Sequence, residues 1–381
     1  MAELKSTSLN QKAWRRLKRN KSAMAGLGII VFALLLSIFA YLVAPDNSPS
    51  GNSQILQLET HPPGYRIKLL KKERSTVSSS GFIEGMYNGF AKNYEPIPVL
   101  DYELKGDSLS YTEYKGKSFH AEQKKISLLE LSGRKLNSIS EKDFVNEFVS
   151  EGKFLLGTDK FGRDILSRLI IGVRVSLSVG MISVFISLFI GIFLGAIAGY
   201  FRGWTDEAIM FVINVFWSIP TLLLAMGLYI GAGSLIENKL IMIFIAVGLT
   251  MWVEVARIVR GQFLSIREME FVSAAKSLGF GNRRIIFNHI LPNILGPIIV
   301  IACSNFASAI LVESGLSYIG LGIQPPAPSW GSMLNEYKDF IDTNKAYLAL
   351  FPGLAIMLLV LAFNLVGNGL RDALDVKGQL D

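Results

Sequence analysis

The sequence has little charge, one cysteine and few histidines. Only 18% of its 381 residues are charged and 50% are hydrophobic, whereas about a quarter of residues are charged in an average soluble protein. Intrinsic disorder is excluded, because disordered chains combine low hydrophobicity with high charge. Cys303 is the only cysteine, which excludes a disulfide scaffold, and three widely separated histidines leave little from which to build a zinc site. A membrane protein or an unusually apolar soluble protein remains.

The charge that is present is unevenly placed. The formal net charge is +7, and the first 21 residues carry seven Lys or Arg against the single acid Glu3. Basic residues directly before an apolar run are typical of a protein at a membrane surface. The positive sum therefore indicates a membrane rather than a nucleic acid as the partner.

Six apolar stretches are long enough to cross a membrane. About 20 mostly apolar residues are needed, because in lipid a helix must satisfy its own backbone polar groups. The predicted spans are residues 24–44, 175–200, 208–231, 240–259, 294–316 and 347–367. A cleaved signal peptide is the alternative for the first span, but its apolar region would run for only about 7–15 residues.

Lysine and arginine in the short loops predict the orientation, because cytoplasmic loops carry an excess of both. Between the fourth and fifth spans, in the loop of residues 257–293, lie Arg260, Arg267, Lys276, Arg283 and Arg284. We expect this loop, the basic N-terminus (1–23) and the C-terminal tail (371–381) to be cytoplasmic. Residues 166–370 would form the core with five of the spans.

A long polar segment, residues 45–165, separates the first two spans. It contains 17 Lys or Arg and 17 Asp or Glu, and a long loop crosses a membrane largely regardless of its charge. Alternating apolar residues in YRIKLLKK and DYELKGDSLSYTEYKGKSF predict strands, and SEKDFVNEFVSE predicts a short helix capped by Ser140. The predicted fold is an all-α polytopic membrane protein with six transmembrane helices and a small α+β external insert between the first two.

The predicted cytoplasmic loop 257–293 contains an amphipathic helix. Ser265 and Glu268 match a capping box, and the residues after them place an apolar stripe on one helix face. The stripe consists of Phe271, Ala274, Ala275 and Leu278. A solvated loop is the alternative, but such a stripe is typical of a helix that lies in a partner's groove.

Two glycines follow the stripe and predict a sharp turn. Gly279 and Gly281 should end the helix, because glycine reaches left-handed backbone angles at little cost. Asn282 would then cap a second helix over residues 283–290, and Pro292 would open the fifth span.

The stretch SAAKSLGFGNRRIIFNHILPN resembles the EAA motif of ABC importer permeases, E-A-A-x3-G-x9-I-x-L-P. The residues on motif positions are Ala274, Ala275, Gly279, Leu291 and Pro292. Two positions depart from it: Ser273 stands where the family often has Glu, and His289 stands where the pattern has Ile. Four further blocks, beginning WRRLKRNK, GTDKFGRD, ESGLSYIG and PGLAIMLL, are similar to the C-type subunit of the branch that serves dipeptides, oligopeptides and nickel.

The resemblance implies a type I ABC importer permease fold and a subunit without enzymatic activity. It implies a sister permease, two cytoplasmic ATPase subunits that bind ATP and Mg, an external solute-binding protein and a place in the cell membrane. This chain would bind no cofactor or metal, and it has no phosphate-binding loop of the G-x-x-x-x-G-K-[ST] type. The ATPase-coupling surface would consist of Glu270, Phe271, Ser273, Ala274, Ala275, Leu278, Gly279, Gly281 and Pro292.

Other functions stay open at this point. The solute could be a short peptide, nickel or another small molecule. A secondary transporter that works alone would instead show broken helices and charged residues at the membrane midplane. A membrane-anchored receptor would not need the two-glycine turn.

Polar residues within the spans are candidates for a translocation path. They are Asn214, Asn305, Glu313 and Asn364, with bonds between helices as the alternative role. The segment with Gln324, Pro325, Pro326 and Trp330 is a candidate external gate or docking surface for a binding protein. An aromatic anchor at the membrane interface is the alternative for Trp330.

Overall fold

The chain is mostly helical, with one small sheet. The computed structural model describes residues 9–74, 81–116, 122–132, 141–233 and 236–374. The helices, in chain order, are α1 (Leu9–Arg19), α2 (Lys21–Ile38), α3 (Ala40–Val43), α4 (Phe82–Asn88), α5 (Leu128–Ser132), α6 (Glu141–Phe148), α7 (Ile165–Phe201), α8 (Gly203–Trp217), α9 (Thr221–Ala232), α10 (Lys239–Ile266), α11 (Glu270–Ser277), α12 (Asn282–Arg284), α13 (Leu295–Tyr318), α14 (Trp330–Tyr337) and α15 (Tyr347–Leu374).

Five helical runs among the described residues are long and apolar enough to cross a membrane. They are Lys21–Ile38, Ile165–Phe201, Lys239–Ile266, Asn282–Tyr318 and Tyr347–Leu374. A sixth span exists if α8 and α9 are counted together. The predicted architecture of six spans is thus found, but the second and third spans differ from the prediction.

The third predicted span, residues 208–231, is broken rather than straight. Its two halves, α8 and α9, meet at an angle of 93°. Pro220 explains the break, because proline has no backbone N–H to donate and it pushes the preceding residue out of helical geometry. The bend opens a cavity beside α10 and α13.

The second predicted span begins earlier than residue 175. Helix α7 starts at Ile165, where the Asp164 side chain accepts from the Ser167 amide (2.8 Å) and caps the helix. Three glycines one turn apart, Gly191, Gly195 and Gly199, bring α7 against α10. A Cβ on each would lie 2.5 Å from the nearest atom of α10, so these helices pack through small residues, as is common in membranes.

The insert is built on a five-stranded antiparallel sheet. Its strands are β1 (Tyr65–Glu73), β2 (Tyr94–Lys105), β3 (Ser108–Glu113), β4 (Glu122–Ser127) and β5 (Val149–Phe154), in the order β4-β3-β2-β1-β5. The predicted strands and the predicted helix α6 are confirmed; Ser140, its predicted cap, lies outside the described residues. Phe144 and Phe148 of α6 are buried with Leu70, Val99 and Leu109 of the sheet.

A buried charge network joins the base of the insert to α7 and α14. Arg163 Nε donates to Asp159 Oδ2 (2.6 Å) and its Nη2 donates to Glu336 Oε2 (2.9 Å). Arg168 Nη2 donates to the same Glu336 oxygen (3.0 Å), and the Tyr337 hydroxyl donates to Asp159 (3.0 Å). Burial acts to lower the pKa of Arg163, but Asp159 and Glu336 outweigh it and the pKa is raised. Two guanidinium groups thus share two carboxylates.

Candidate functional site

The two ends of the helix bundle differ in what they carry. One end, here called the loop end, holds α11, the end of α10 and the start of α13. Residues of α1 and of the end of α15 also lie there, since Leu17 and Ala23 pack on Ala373 and Leu374 lies beside Gly296. The insert lies at the opposite end, here called the insert end, where Arg163 bonds to Glu336. The structure therefore places the basic N-terminal helix and the loop 257–293 on the same side.

Helix α11 is the predicted amphipathic helix, but it begins at a different residue. The predicted capping box fails because Ser265 lies inside α10, which runs on to Ile266. Met269 occupies the N-cap position of α11 without a side-chain bond. Gly279 ends the helix as predicted, with a left-handed φ of +77°, whereas Gly281 adopts an ordinary φ of −69°.

One side of α11 packs onto the bundle. Val272 and Ala275 are buried in a cluster with Val259, Phe263 and Ile290 of the neighbouring helices. Ala275 was expected on the apolar stripe that meets a partner, and instead it belongs to this inner side. A helix of eight residues is not stable by itself in water, so this inner contact keeps α11 in place.

The other side of α11 is apolar and uncovered. Leu278 is 72% exposed, Phe271 41% and Met269 47%, and Ala274 beside them is also exposed. Glu270 and Ser273 complete this outer surface. Residues 271, 274 and 278 lie three and four positions apart, so they form one ridge along the helix.

Polar contacts connect the segments on either side of α11 to the end of α7. The Tyr200 hydroxyl at the end of α7 donates to Asn282 Oδ1 (2.8 Å). Arg202 pairs with Glu268 (2.6 Å), and Arg267 donates to the Tyr200 carbonyl. These bonds fix both flanks of α11 to the end of α7.

The second predicted helix of the loop is not a separate element. Helix α12 continues through a π-helical turn, Ile285–Ile290, and a 3-10 turn, Leu291–Ile294, into α13. Pro292 lies within this run and does not start a new helix. The altered turns accommodate the donor that proline lacks, and the Asn293 side chain donates to the His289 carbonyl (2.6 Å).

A cavity of about 310 Å³ lies at the bend between α8 and α9, a size at the low end for small-molecule sites. Its walls come from α8, α9, α10 and α13. The lining residues are Phe216, Trp217, Ile219, Thr221, Leu224, Thr250, Met251, Val253, Glu254, Ser308, Leu311 and Val312. Glu254 is exposed and is the one acidic or basic residue among them.

Sequence reasoning missed Glu254. The signal that could have found it is a single acid in the stretch TMWVEVARIV of an apolar span, since an ionisable residue in a membrane segment is a functional candidate. Asn214, which was singled out, lies close by and accepts from Arg257 Nη2 (3.0 Å).

The other path candidates do not line this cavity. Asn305 is buried, with its Nδ2 3.4 Å from the Met251 carbonyl of α10. Asn364 is exposed on α15. Glu313 has no exposed surface; its Oε1 accepts from Ser317 Oγ (2.8 Å) and Ser329 Oγ (2.9 Å).

Glu313 holds the start of α14 against α13, because Ser329 is the cap of α14. We expect Glu313→Ala to destabilise the protein by about 2–4 kcal/mol, since each buried hydroxyl left without a partner costs about 1–3 kcal/mol. Glu313→Gln keeps an acceptor oxygen and should retain most of the stability. Thermal unfolding of both variants tests this. Unchanged stability of Glu313→Gln together with lost transport would instead assign Glu313 to the path.

The candidate gate segment is only partly on the surface. Gln324, Pro325 and Pro326 are exposed at the insert end. Trp330 is buried, and its Nε1 donates to the Leu169 carbonyl of α7 (3.0 Å). Its side chain is therefore neither a membrane-interface anchor nor part of the exposed segment.

No three His, Cys, Asp or Glu side chains come together as a metal site within the part of the chain that the structure describes. Two surfaces among the described residues are candidates for function: the outer ridge of α11 and the cavity at the bend.

Both surfaces lie in a part of the chain that matches a known protein family. Residues 191–377 match the model "binding-protein-dependent transport system inner membrane component", and residues 8–63 match "N-terminal TM domain of oligopeptide transport permease C". The dipeptide transport system permease protein DppC of Alkalihalophilus pseudofirmus is 47% identical over 58% of this chain and 71% of its own length. The glutathione transport system permease protein GsiD of Pectobacterium atrosepticum is 41% identical over 62% of this chain and 76% of its own length.

Among solved structures, an inward-facing form of the MetNI methionine ABC transporter is 18% identical and has a TM-score of 0.47. The match covers 54% of this chain and 96% of that chain. Most of the insert lies outside both family models, which leave residues 64–190 unmatched.

Proposed function

The chain belongs to the family of binding-protein-dependent transport system inner membrane components, and on that premise we propose that it is the C-type permease subunit of an ATP-driven importer of short peptides. The observation that carries this proposal is the outer ridge of α11. The inner side of α11 packs on the bundle, and its outer side is an apolar ridge within the stretch that resembles the EAA motif. Such a ridge is the surface that an ATPase partner would cover.

Coupling would proceed through contacts that hold α11. Closure of an ATPase pair would pull on the ridge of Phe271, Ala274 and Leu278. Helix α11 packs on the ends of α7, α10 and α13, and Asn282 of the following α12 accepts from Tyr200 of α7, so these helices would move with it. The cavity beside α10 and α13 would then change its access from one side of the membrane to the other.

The substrate proposal rests on the relatives. They are named for dipeptide and glutathione transport, and both solutes are small peptides with a free amino group. No described feature favours a metal ion as the solute, since a nickel path would need histidine or carboxylate ligands in a group.

The partners follow from the same proposal. A sister permease would form the other half of the path, and two ATPase subunits would lie at the loop end, which would be cytoplasmic together with both termini. A binding protein would deliver peptide at the insert end, where Gln324, Pro325 and Pro326 are exposed. The chain would thus be a multi-pass protein of the cell membrane.

Co-purification tests the proposal. An affinity tag on this chain, expressed in its own cells and extracted in a mild detergent, should retain a second permease and two ATPase subunits in fixed ratio. Recovery of the chain alone or as a homo-oligomer, under conditions that preserve other membrane complexes, would contradict it.

A further inference from the structure

We propose that Glu254 binds the positively charged α-amino group of a peptide as it passes through the membrane. This inference rests on the proposed function and adds to it a specific contact inside the path. It follows from the position of Glu254 within a span, from its lack of a partner and from the walls of the cavity it faces.

Glu254 lies inside the fourth predicted span, residues 240–259, five residues from its loop end. Helix α10 runs from Lys239 to Ile266, and Glu254 is 15 residues from the first and 12 from the last. At about 1.5 Å per residue, these separations are about 22 Å and about 18 Å. A carboxyl group inside a span is costly unless it faces water or a bound cation.

Within the described ranges, Glu254 forms neither a hydrogen bond nor an ion pair, although a cation lies one turn away on the same helix. Arg257 is at position i+3, a spacing that allows ion pairs. Its guanidinium is directed elsewhere: Cζ lies 3.3 Å from the Trp217 ring centre, and Nη2 donates to Asn214 (3.0 Å). Trp217 and Asn214 therefore keep the Arg257 guanidinium from pairing with Glu254, and the Glu254 carboxylate faces the cavity.

The remaining walls suit a small peptide. Thr221 and Ser308 contribute hydroxyl groups that can bond to a peptide backbone, while Leu224, Leu311 and Val312 contribute apolar surface. No lining residue carries a positive charge, so Glu254 is the charged group of the lining that a solute in the cavity would meet. An ammonium group would give Glu254 the charge-assisted hydrogen bond that it lacks.

Uptake by the whole importer, reconstituted in proteoliposomes with saturating binding protein, tests the contact. The measured quantity is the initial uptake rate of Glu254→Gln divided by that of wild type, taken once for dialanine and once for N-acetyl-dialanine. Each ratio compares the same peptide and the same binding protein, so the selectivity of the binding protein cancels. We expect Glu254→Gln to lower dialanine uptake at least about ten-fold, the scale of a lost hydrogen bond to a charged group. Uptake of the acetylated peptide should fall less than two-fold.

A labelling experiment tests the same site without relying on uptake of the acetylated peptide. In a Cys303→Ser background, Glu254→Cys should react with a cationic methanethiosulfonate reagent added in the aqueous phase. An unreactive cysteine at position 254 would overturn the proposal, because the position would then not face a water-filled path.

Controls separate the possible failures. Glu207→Gln removes an exposed acid from α8 away from the cavity and should leave uptake unchanged. Wild-type liposomes that accumulate no dialanine would overturn the proposed function itself. Normal dialanine uptake by Glu254→Gln would overturn only this inference. Loss of the sister permease from the purified variant would also overturn it, because Glu254 would then form an ion pair between subunits.

Discussion

Replacing Leu278 with Glu is expected to abolish ATP-driven uptake while the chain still folds and inserts. Leu278 is 72% exposed at the end of α11, so the carboxylate meets water in the isolated subunit. In the assembled importer it would be enclosed by the apolar groove of an ATPase. A charge buried without a partner costs about 3–5 kcal/mol, which corresponds to at least about a hundred-fold weaker docking at about 1.4 kcal/mol per factor of ten.

Leu129→Glu is the matched control for this variant. Leu129 is also an exposed leucine (53%), but it lies in α5 of the insert, far along the chain from α11. It should keep both ATPase binding and peptide uptake. Co-purification of the ATPase subunits and uptake per ATP hydrolysed are the two measurements. Full coupling in Leu278→Glu would mean that the ATPases dock elsewhere.

Replacing Glu336 with Gln is expected to be the most destabilising single change outside the membrane helices. Glu336 neutralises Arg163 and Arg168 together, and both arginine side chains are 2% exposed. The neutral amide would leave two buried guanidinium groups with Asp159 as their one remaining acid. We expect a loss of about 3–5 kcal/mol of stability, seen as a lower unfolding temperature and as faster proteolysis between the insert and α7.

Glu151→Gln serves as the control, because it removes a carboxylate from an exposed pair with Arg66 and Lys153. Surface pairs contribute about 0–1 kcal/mol, so its unfolding temperature should barely change. If Glu336→Gln unfolds at the wild-type temperature, the network does not hold the insert end together.

The sequence predicted most of the span architecture because hydropathy over about 20 residues reports burial in lipid directly. It did not predict the break at Pro220, since an averaged window does not register one residue that removes a backbone donor. It also placed the start of α7 ten residues late. The polar and charged side chains near Ile165, Arg168 among them, look exposed in the sequence, and partners distant along the chain bury them.

Helix α11 was predictable only in part, because some of its features are local and others depend on packing. Gly279 and the apolar residues of α11 follow local rules, so their pattern indicated a helix and its end. Ala275 and Ser265 depend on how α11 and α10 pack, which the local pattern does not contain. Glu254 was missed because one acid barely alters the hydropathy of its span, and only the bend at Pro220 shows that it faces a cavity.

The most direct test of the central claim is the energy source for peptide accumulation in proteoliposomes that contain this chain, its sister permease and the ATPases. With binding protein present, dialanine should accumulate when ATP is hydrolysed and should be unaffected when ion gradients are collapsed. Accumulation driven by an ion gradient without ATP, or equal accumulation when this chain is omitted, would contradict the account.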